Sequence, residues 1–184
     1  VRPRLVVDVS RIEELRLVQD RGDSLWIGAG ITHAEIEDAR LGLPSHGMLR
    51  FVAAGIAYRS VRNRGTIGGS LAHADSAADW PLALAALDAK AHLRSARGQR
   101  LVPVDAFVLG AFATQLAEDE LILGTQVPKL APSARWGYYK FCRKTGEFPE
   151  ASAAVVVDRG NPKVASGGDF GGFIFLLFAR DFDD

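Results

Sequence analysis

Three glycines fall within five positions in the run Arg62-Asn63-Arg64-Gly65-Thr66-Ile67-Gly68-Gly69-Ser70-Leu71-Ala72-His73-Ala74-Asp75, and Asp79-Trp80-Pro81 follows closely. No other stretch so narrows what the chain can build. Without Cβ atoms, Gly65, Gly68 and Gly69 can take positive φ and bring several N–H groups to one anionic oxygen. Thr66 and Ser70 add hydroxyl donors, and the run leads toward a helix start. The pattern predicts a cradle for a diphosphate-containing cofactor. A glycine pair also serves as a tight turn between packed elements, so the flanking residues decide between the two readings.

Composition bounds the rest. With 184 residues, 48% of them apolar, and 19 glycines, the chain can bury a sizeable core in one domain or two small lobes. Lys plus Arg equals Asp plus Glu at 22 each, so net charge gives no reason to expect nucleic acid or an anionic membrane as partner. The single cysteine, Cys142, excludes an intrachain disulfide framework and leaves nothing for a cysteine-held iron–sulfur cluster within these residues. Val1-Arg-Pro-Arg4 lacks the pattern of a secretory signal, and the apolar stretch from Phe170 to Ala179 is too short for a spanning helix. The expectation is a cytoplasmic protein without a membrane span.

Periodicity predicts a mixed α+β chain with no internal repeat. Leu5 to Val9 reads as a strand, and Ser10-Arg-Ile-Glu13 as a capping box opening a helical turn. Leu15 to Val18 and Leu25 to Ala29 read as a hairpin around Asp20-Arg-Gly-Asp23. Thr32-His-Ala-Glu35 is a second capping box, starting a helix that ends near Gly42 and Pro44. Gly47 to Arg59 has helical spacing and should pack on the core before the glycine run. Beyond it come a helix over Asp79 to Leu87, strands over Ala89 to Arg94 and Leu101-Val102, and a short helix from Val104 to Leu109. Strands over Glu120 to Val127, Arg135 to Arg143 and Ala151 to Asp158 complete the reading.

Val61 to Asp75, with Ala78-Asp-Trp-Pro81, closely resembles the second flavin-binding motif of the FAD-binding medium subunit of molybdenum hydroxylases, the family of carbon monoxide and xanthine dehydrogenases. The resemblance runs from about Arg2 to Val157 and takes in Leu5-Val-Val-Asp8, Trp26-Ile-Gly-Ala-Gly30, Thr32-His-Ala-Glu35, Ile122-Leu-Gly124 and Tyr139-Lys-Phe-Cys-Arg143. It implies a two-lobed flavin-binding fold of the PCMH type with an incomplete amino-terminal lobe: residues 1–45 the remainder of that lobe, 46–157 the second lobe, and 158–184 a divergent tail. The family's first glycine-rich segment would lie upstream of Val1, and the text after Val157, with its five phenylalanines, departs from the family pattern. The chain therefore reads as truncated at both ends.

By the same resemblance, Thr66, Ile67, Gly68, Gly69 and Ser70 would meet the diphosphate of FAD, while Asp79, Leu123 and Lys140 would line the flavin, with Ile56 a weaker candidate. Asp79 could instead be a helix-start acid favoured by the dipole. Strand alternation places Lys140 on the face of Tyr138 and Cys142; most lysines are solvated, but one beside a flavin could stabilise its reduced form. No residue is needed as a general acid or base. The implied role is electron relay from the iron–sulfur clusters of a two-cluster [2Fe-2S] small subunit to FAD and then to an external acceptor. Substrate would be oxidised on a molybdopterin-binding large subunit, in a dimer of heterotrimers.

Other readings have less to stand on. Gly28-Ala-Gly30 looks like a nicotinamide-dinucleotide fingerprint but has His33 at its third glycine and no following βαβ unit. Cys142 reads as a small buried hydrophobe, His33, His46, His73 and His92 lack metal-ligand spacing, and no nucleophile elbow is present. Two alternatives stay open: a flavoprotein reductase resembling UDP-N-acetylenolpyruvoylglucosamine reductase, and a scaffold subunit that binds no flavin.

Overall fold

The computed structural model describes residues 4–39, 47–157, 163–168 and 175–177. After a 3-10 turn at Glu13–Arg16, β1 (Val18–Asp20) and β2 (Ser24–Gly28) form the expected hairpin. Then come α1 (His33–Glu37), α2 (Gly47–Gly55), α3 (Arg59–Arg62), α4 (Ile67–His73) and α5 (Asp79–Ala86). β3 (Lys90–Ser95), β4 (Gly98–Pro103), α6 (Val104–Phe107), β5 (Val108–Gly110) and β6 (Ala113–Thr114) follow. The series ends with β7 (Leu121–Pro128), β8 (Arg135–Phe141), β9 (Ala151–Val157), β10 (Lys163–Gly168) and β11 (Phe175–Leu177).

The fold is α+β. An antiparallel five-stranded sheet has the order β1-β2-β7-β3-β4, and a four-stranded one the order β11-β10-β9-β8. β2 is buried at every residue. Its interior position, with a partner on each side, is what a run of apolar residues without alternation calls for.

Helix α5 joins the two halves of the core. All eight of its residues are buried, and a helix apolar on every side belongs inside a protein. It packs against α2, α4, α6 and β9. Trp80, Leu84, Met48, Leu49, Ile67, Leu71 and Phe107 meet around it, each fully buried. Pro81 lies in its first turn, where the missing N–H breaks no intrahelical bond. The N-terminus of α5, carrying Asp79, faces β8.

Several sequence expectations need correction. Leu5 to Val9 pairs with no described strand, and Leu5, Val6 and Val7 are exposed. The Ser10 capping box does not form: the Ser10 amide donates to Asp8 Oδ1 at 2.9 Å, and the 3-10 turn starts later, with no side-chain cap. Leu15 sits in that turn rather than in a strand. The helix predicted over Gly47 to Arg59 breaks after Gly55, where Ala57 takes φ 41°. Arg62 holds the break, donating to the carbonyls of Ile56 and Ala57 at 2.9 Å each. The helix end near Gly42 and Pro44, His46, and the phenylalanines at 170, 173, 178 and 182 lie outside the described residues.

Candidate functional site

The second half of the glycine run is built into α4 itself. Thr66 caps α4, its Oγ1 accepting from the Gly69 amide at 3.0 Å, and Gly68 and Gly69 occupy the helix's first turn. None of Gly65, Gly68 and Gly69 has positive φ, so the conformational reason expected for them does not hold. Close approach replaces it. A Cβ on Gly68 would fall 2.3 Å from Ala29 Cβ and 2.8 Å from the Ala29 carbonyl oxygen, and one on Gly65 would fall 2.7 Å from His33 Nε2.

These glycines let the run lie flat on residues 29–33. The His33 amide donates to the Gly65 carbonyl at 2.9 Å, Ile67 to Ile31 at 3.0 Å, and Gly68 to Ala29 at 3.0 Å. Thr32 and Thr66 form the antiparallel bridge at the centre, and Thr32 is fixed by the predicted capping box with Glu35. The amides of Gly65 and Ser70 donate to Val61 and Thr66. From 65 to 70, therefore, Thr66 alone keeps an amide with no hydrogen-bond partner among the described residues. The expected cradle of several free amides is corrected accordingly.

Two clefts meet at this segment. One of about 990 Å³ is bordered by residues 6–10, Gly30, Asn63, Gly68, Leu116 and Ile122. The other, about 510 Å³, is bordered by His33, Ile56, Ser70, Asp79, Lys140 and Phe148. Arg64, Thr66 and Gly69 border both. The pair of clefts with a donor-bearing waist suits an elongated ligand with two bulky ends and an anionic middle.

At the floor of the smaller cleft, Asp79 is 6% exposed and accepts from two residues of β8. Tyr138 Oη donates to Asp79 Oδ1 at 2.6 Å, and Lys140 Nζ to Asp79 Oδ2 at 2.9 Å. Lys140 also reaches the Gly55 carbonyl at 3.4 Å. Burial, and then the negative charge of Asp79, push the Tyr138 hydroxyl far up, so it stays a proton donor. The alternation argument that put Lys140 and Tyr138 on one face holds.

Beside them, the buried His33 accepts a hydrogen bond at Nδ1 from Trp80 Nε1 at 2.9 Å. Burial, aided by the nearby Arg62 guanidinium, lowers its pKa to about 4. The ring is neutral at physiological pH. Arg62 itself pairs with Glu37 at 2.8 Å, holding that carboxyl below its ordinary range.

Of the residues singled out from sequence, Thr66, Gly69, Ser70, Asp79 and Lys140 border the smaller cleft, joined by Ile56 and His73; Gly68 borders the larger. Ile67 is fully buried beneath the run. Leu123, half-buried against the core, gives its carbonyl to the Ala29 amide at 2.9 Å and borders neither cleft. Cys142 is a half-buried free thiol just past β8. Gly28 and Gly30 commit their amides to Leu17 and Leu15 at 2.8 and 2.7 Å, so the stretch that mimics a dinucleotide fingerprint holds the 3-10 turn. Sequence reasoning missed His33, Trp80 and Arg64. A histidine at the first position after a helix cap and a tryptophan inside a buried helix gave a faint signal for the first two.

Residues 1–130 match the family described as FAD binding domain in molybdopterin dehydrogenase. The chain is 35% identical over 163 residues to the nicotine 6-hydroxylase medium subunit of Paenarthrobacter nicotinovorans, covering 89% of this chain and 57% of that protein. Against the carbon monoxide dehydrogenase medium chain of Hydrogenophaga pseudoflava, identity is 36% over 163 residues, with the same coverage of 89% and 57%. The chain thus spans little more than half the length of these curated relatives. Among solved structures, a carbon monoxide dehydrogenase from Hydrogenophaga pseudoflava that lacks the Mo-pyranopterin moiety superposes with TM-score 0.87 at 32% identity, over 96% of this chain and 66% of that one. Quinoline 2-oxidoreductase from Pseudomonas putida 86 gives TM-score 0.87 at 30% identity, over 96% and 62%.

Proposed function

Because the chain belongs to the FAD binding domain family of molybdopterin dehydrogenases, we propose that it is the flavin-holding part of a medium subunit that relays electrons between partner subunits and an external acceptor. One observation carries the reading: two clefts share a waist formed by Arg64, Thr66 and Gly69. FAD has that shape, a diphosphate between two ring-bearing halves. Thr66 and Ser70 would hold the diphosphate with hydroxyl donors, over a backbone that Ile67, Gly68 and Gly69 keep in place. Asp79 and Lys140 would face the half in the smaller cleft, and Leu123 would support the wall between the clefts through Ala29.

When bound, FAD supplies the capacity to accept electrons singly and release them in pairs. The chain's own task is to hold and tune. Lys140 spends two of its N–H donors on Asp79 and Gly55, leaving one of three for an acceptor entering the cleft. Asp79 fixes that ammonium, and the neutral His33 adds wall without charge. Residues 46–157 would form the flavin-facing lobe, with 1–45 supporting it through β1, β2 and α1.

By analogy with the multi-subunit relatives, electrons would come from a two-cluster [2Fe-2S] small subunit, and substrate oxidation would occur on a molybdopterin-binding large subunit, the whole forming a dimer of heterotrimers. The medium chain of a carbon monoxide dehydrogenase and that of a nicotine hydroxylase are similar to this chain to the same degree, so its substrate follows from neither. No described helix is long and apolar enough to cross a membrane. The test is to incubate the purified chain with FAD, remove free flavin and record the visible spectrum. Near-stoichiometric retained flavin is the expected result. A colourless protein that still associates with its partner subunits would support a flavin-free scaffold instead.

A further inference from the structure

We propose that Arg64 is the cation of this run that pairs with the diphosphate at the waist. The inference rests on the FAD-binding reading above and deepens it.

Two observations converge on Arg64. The first is the state of the backbone. From Gly65 to Ser70, the amides of Gly65, Ile67, Gly68, Gly69 and Ser70 donate to Val61, Ile31, Ala29, Thr66 Oγ1 and Thr66 O respectively, leaving that of Thr66. The run itself thus offers one amide and two hydroxyls, neutral donors that stabilise an anion less than an ionised partner does.

The second is the state of the cations. Arg62 and Arg59 flank the run, but both are spent on Glu37, and Arg59 on Asp38 as well. The charge of Lys140 is balanced by the buried Asp79, which leaves it a single N–H donor. Arg64 is exposed and borders both clefts; its amide donates to the Val61 carbonyl, but its guanidinium makes no ion pair or hydrogen bond with any described residue. Its guanidinium offers five N–H donors in a planar fork that matches phosphate oxygens two at a time. A cation left unpaired between paired neighbours, at the constriction of a bilobed cleft, is placed for an anion that arrives with the ligand. The backbone of the run then has a different task, which is to hold Thr66, Ser70 and the base of Arg64 rigidly against residues 29–33.

The test compares wild type with Arg64→Ala and Arg64→Lys, using intrinsic flavin fluorescence to titrate FAD and riboflavin at several salt concentrations. For Arg64→Ala, FAD affinity should fall about 10- to 100-fold, riboflavin affinity should stay within about twofold, and the salt dependence of FAD binding should flatten. Arg64→Lys should recover part of the affinity. Equal loss for FAD and riboflavin would show a structural role and overturn the inference. So would an Arg64→Ala protein that binds FAD with wild-type affinity and salt dependence. Failure of the wild type to bind FAD at all would instead overturn the functional reading, which keeps the two outcomes apart.

Discussion

At the residue scale, the site is organised around charges that are committed and groups that are kept neutral. Asp79 would be costly to bury alone; with Lys140 and Tyr138 on its two oxygens it is satisfied. His33 is neutral because burial, aided by the Arg62 guanidinium, disfavours its charged form, while its Nδ1 accepts from Trp80. This has a pH consequence. Folded His33 titrates at about 4, whereas in the unfolded chain it titrates near 6.5. Between these values the unfolded chain takes up a proton that the fold refuses. The His33 contribution to stability is therefore complete above about pH 6.5, is lost as pH falls through that window, and stops changing below about pH 4, a total of about 3 kcal/mol. Urea unfolding at pH 7, 6, 5 and 4 should show this slope in the wild type, and His33→Asn, which keeps an acceptor toward Trp80 without titrating, should flatten it. An unchanged slope in the variant would assign the acid sensitivity to other groups.

At the element scale, α4 and residues 29–33 behave as one piece, because the backbone bridge through Thr32 and Thr66 leaves no room for side-chain atoms between them. The two adjacent glycines should thus respond differently to the same substitution. Gly68→Ala drives a methyl into the Ala29 backbone and should cost several kcal/mol. Gly69 is exposed and would meet only Thr66 Oγ1 at 3.0 Å, so Gly69→Ala should cost under about 1 kcal/mol while disturbing the hydroxyl that faces the ligand. Thermal unfolding of the two variants checks this, and equal losses would contradict the close-packing account.

The same elements mark what the sequence could convey. The capping box at Thr32, the helix over Asp79 to Leu87, the hairpin around Asp20-Arg-Gly-Asp23 and the placing of Lys140 with Tyr138 on one strand face were legible because each depends on local spacing. The reason for the glycines was not. The closest neighbours of Gly65 and Gly68, His33 and Ala29, lie more than thirty positions upstream, and only the tertiary fold brings them together. The fate of Leu5 to Val9 was hidden for a similar reason, since a local run of apolar residues does not say whether a distant strand will pair with it. Arg64 was overlooked because its importance follows from what Arg59 and Arg62 do with their acids.

At the scale of the whole molecule, the two sheets, with α5 packed into the core between α2, α4, α6 and β9, set the two clefts on either side of one short segment. The five-stranded sheet holds residues 29–33 in place, α5 and β8 supply the Asp79–Lys140 floor, and the glycine run joins them. The account's central claim is that an extended flavin dinucleotide lies across that junction. A crystal structure of the chain with FAD tests it most directly. The predicted result is a diphosphate touching Arg64, Thr66 and Ser70, with one ring-bearing half in each cleft; a diphosphate making no contact between residues 64 and 70, or FAD bound outside both clefts, would contradict it.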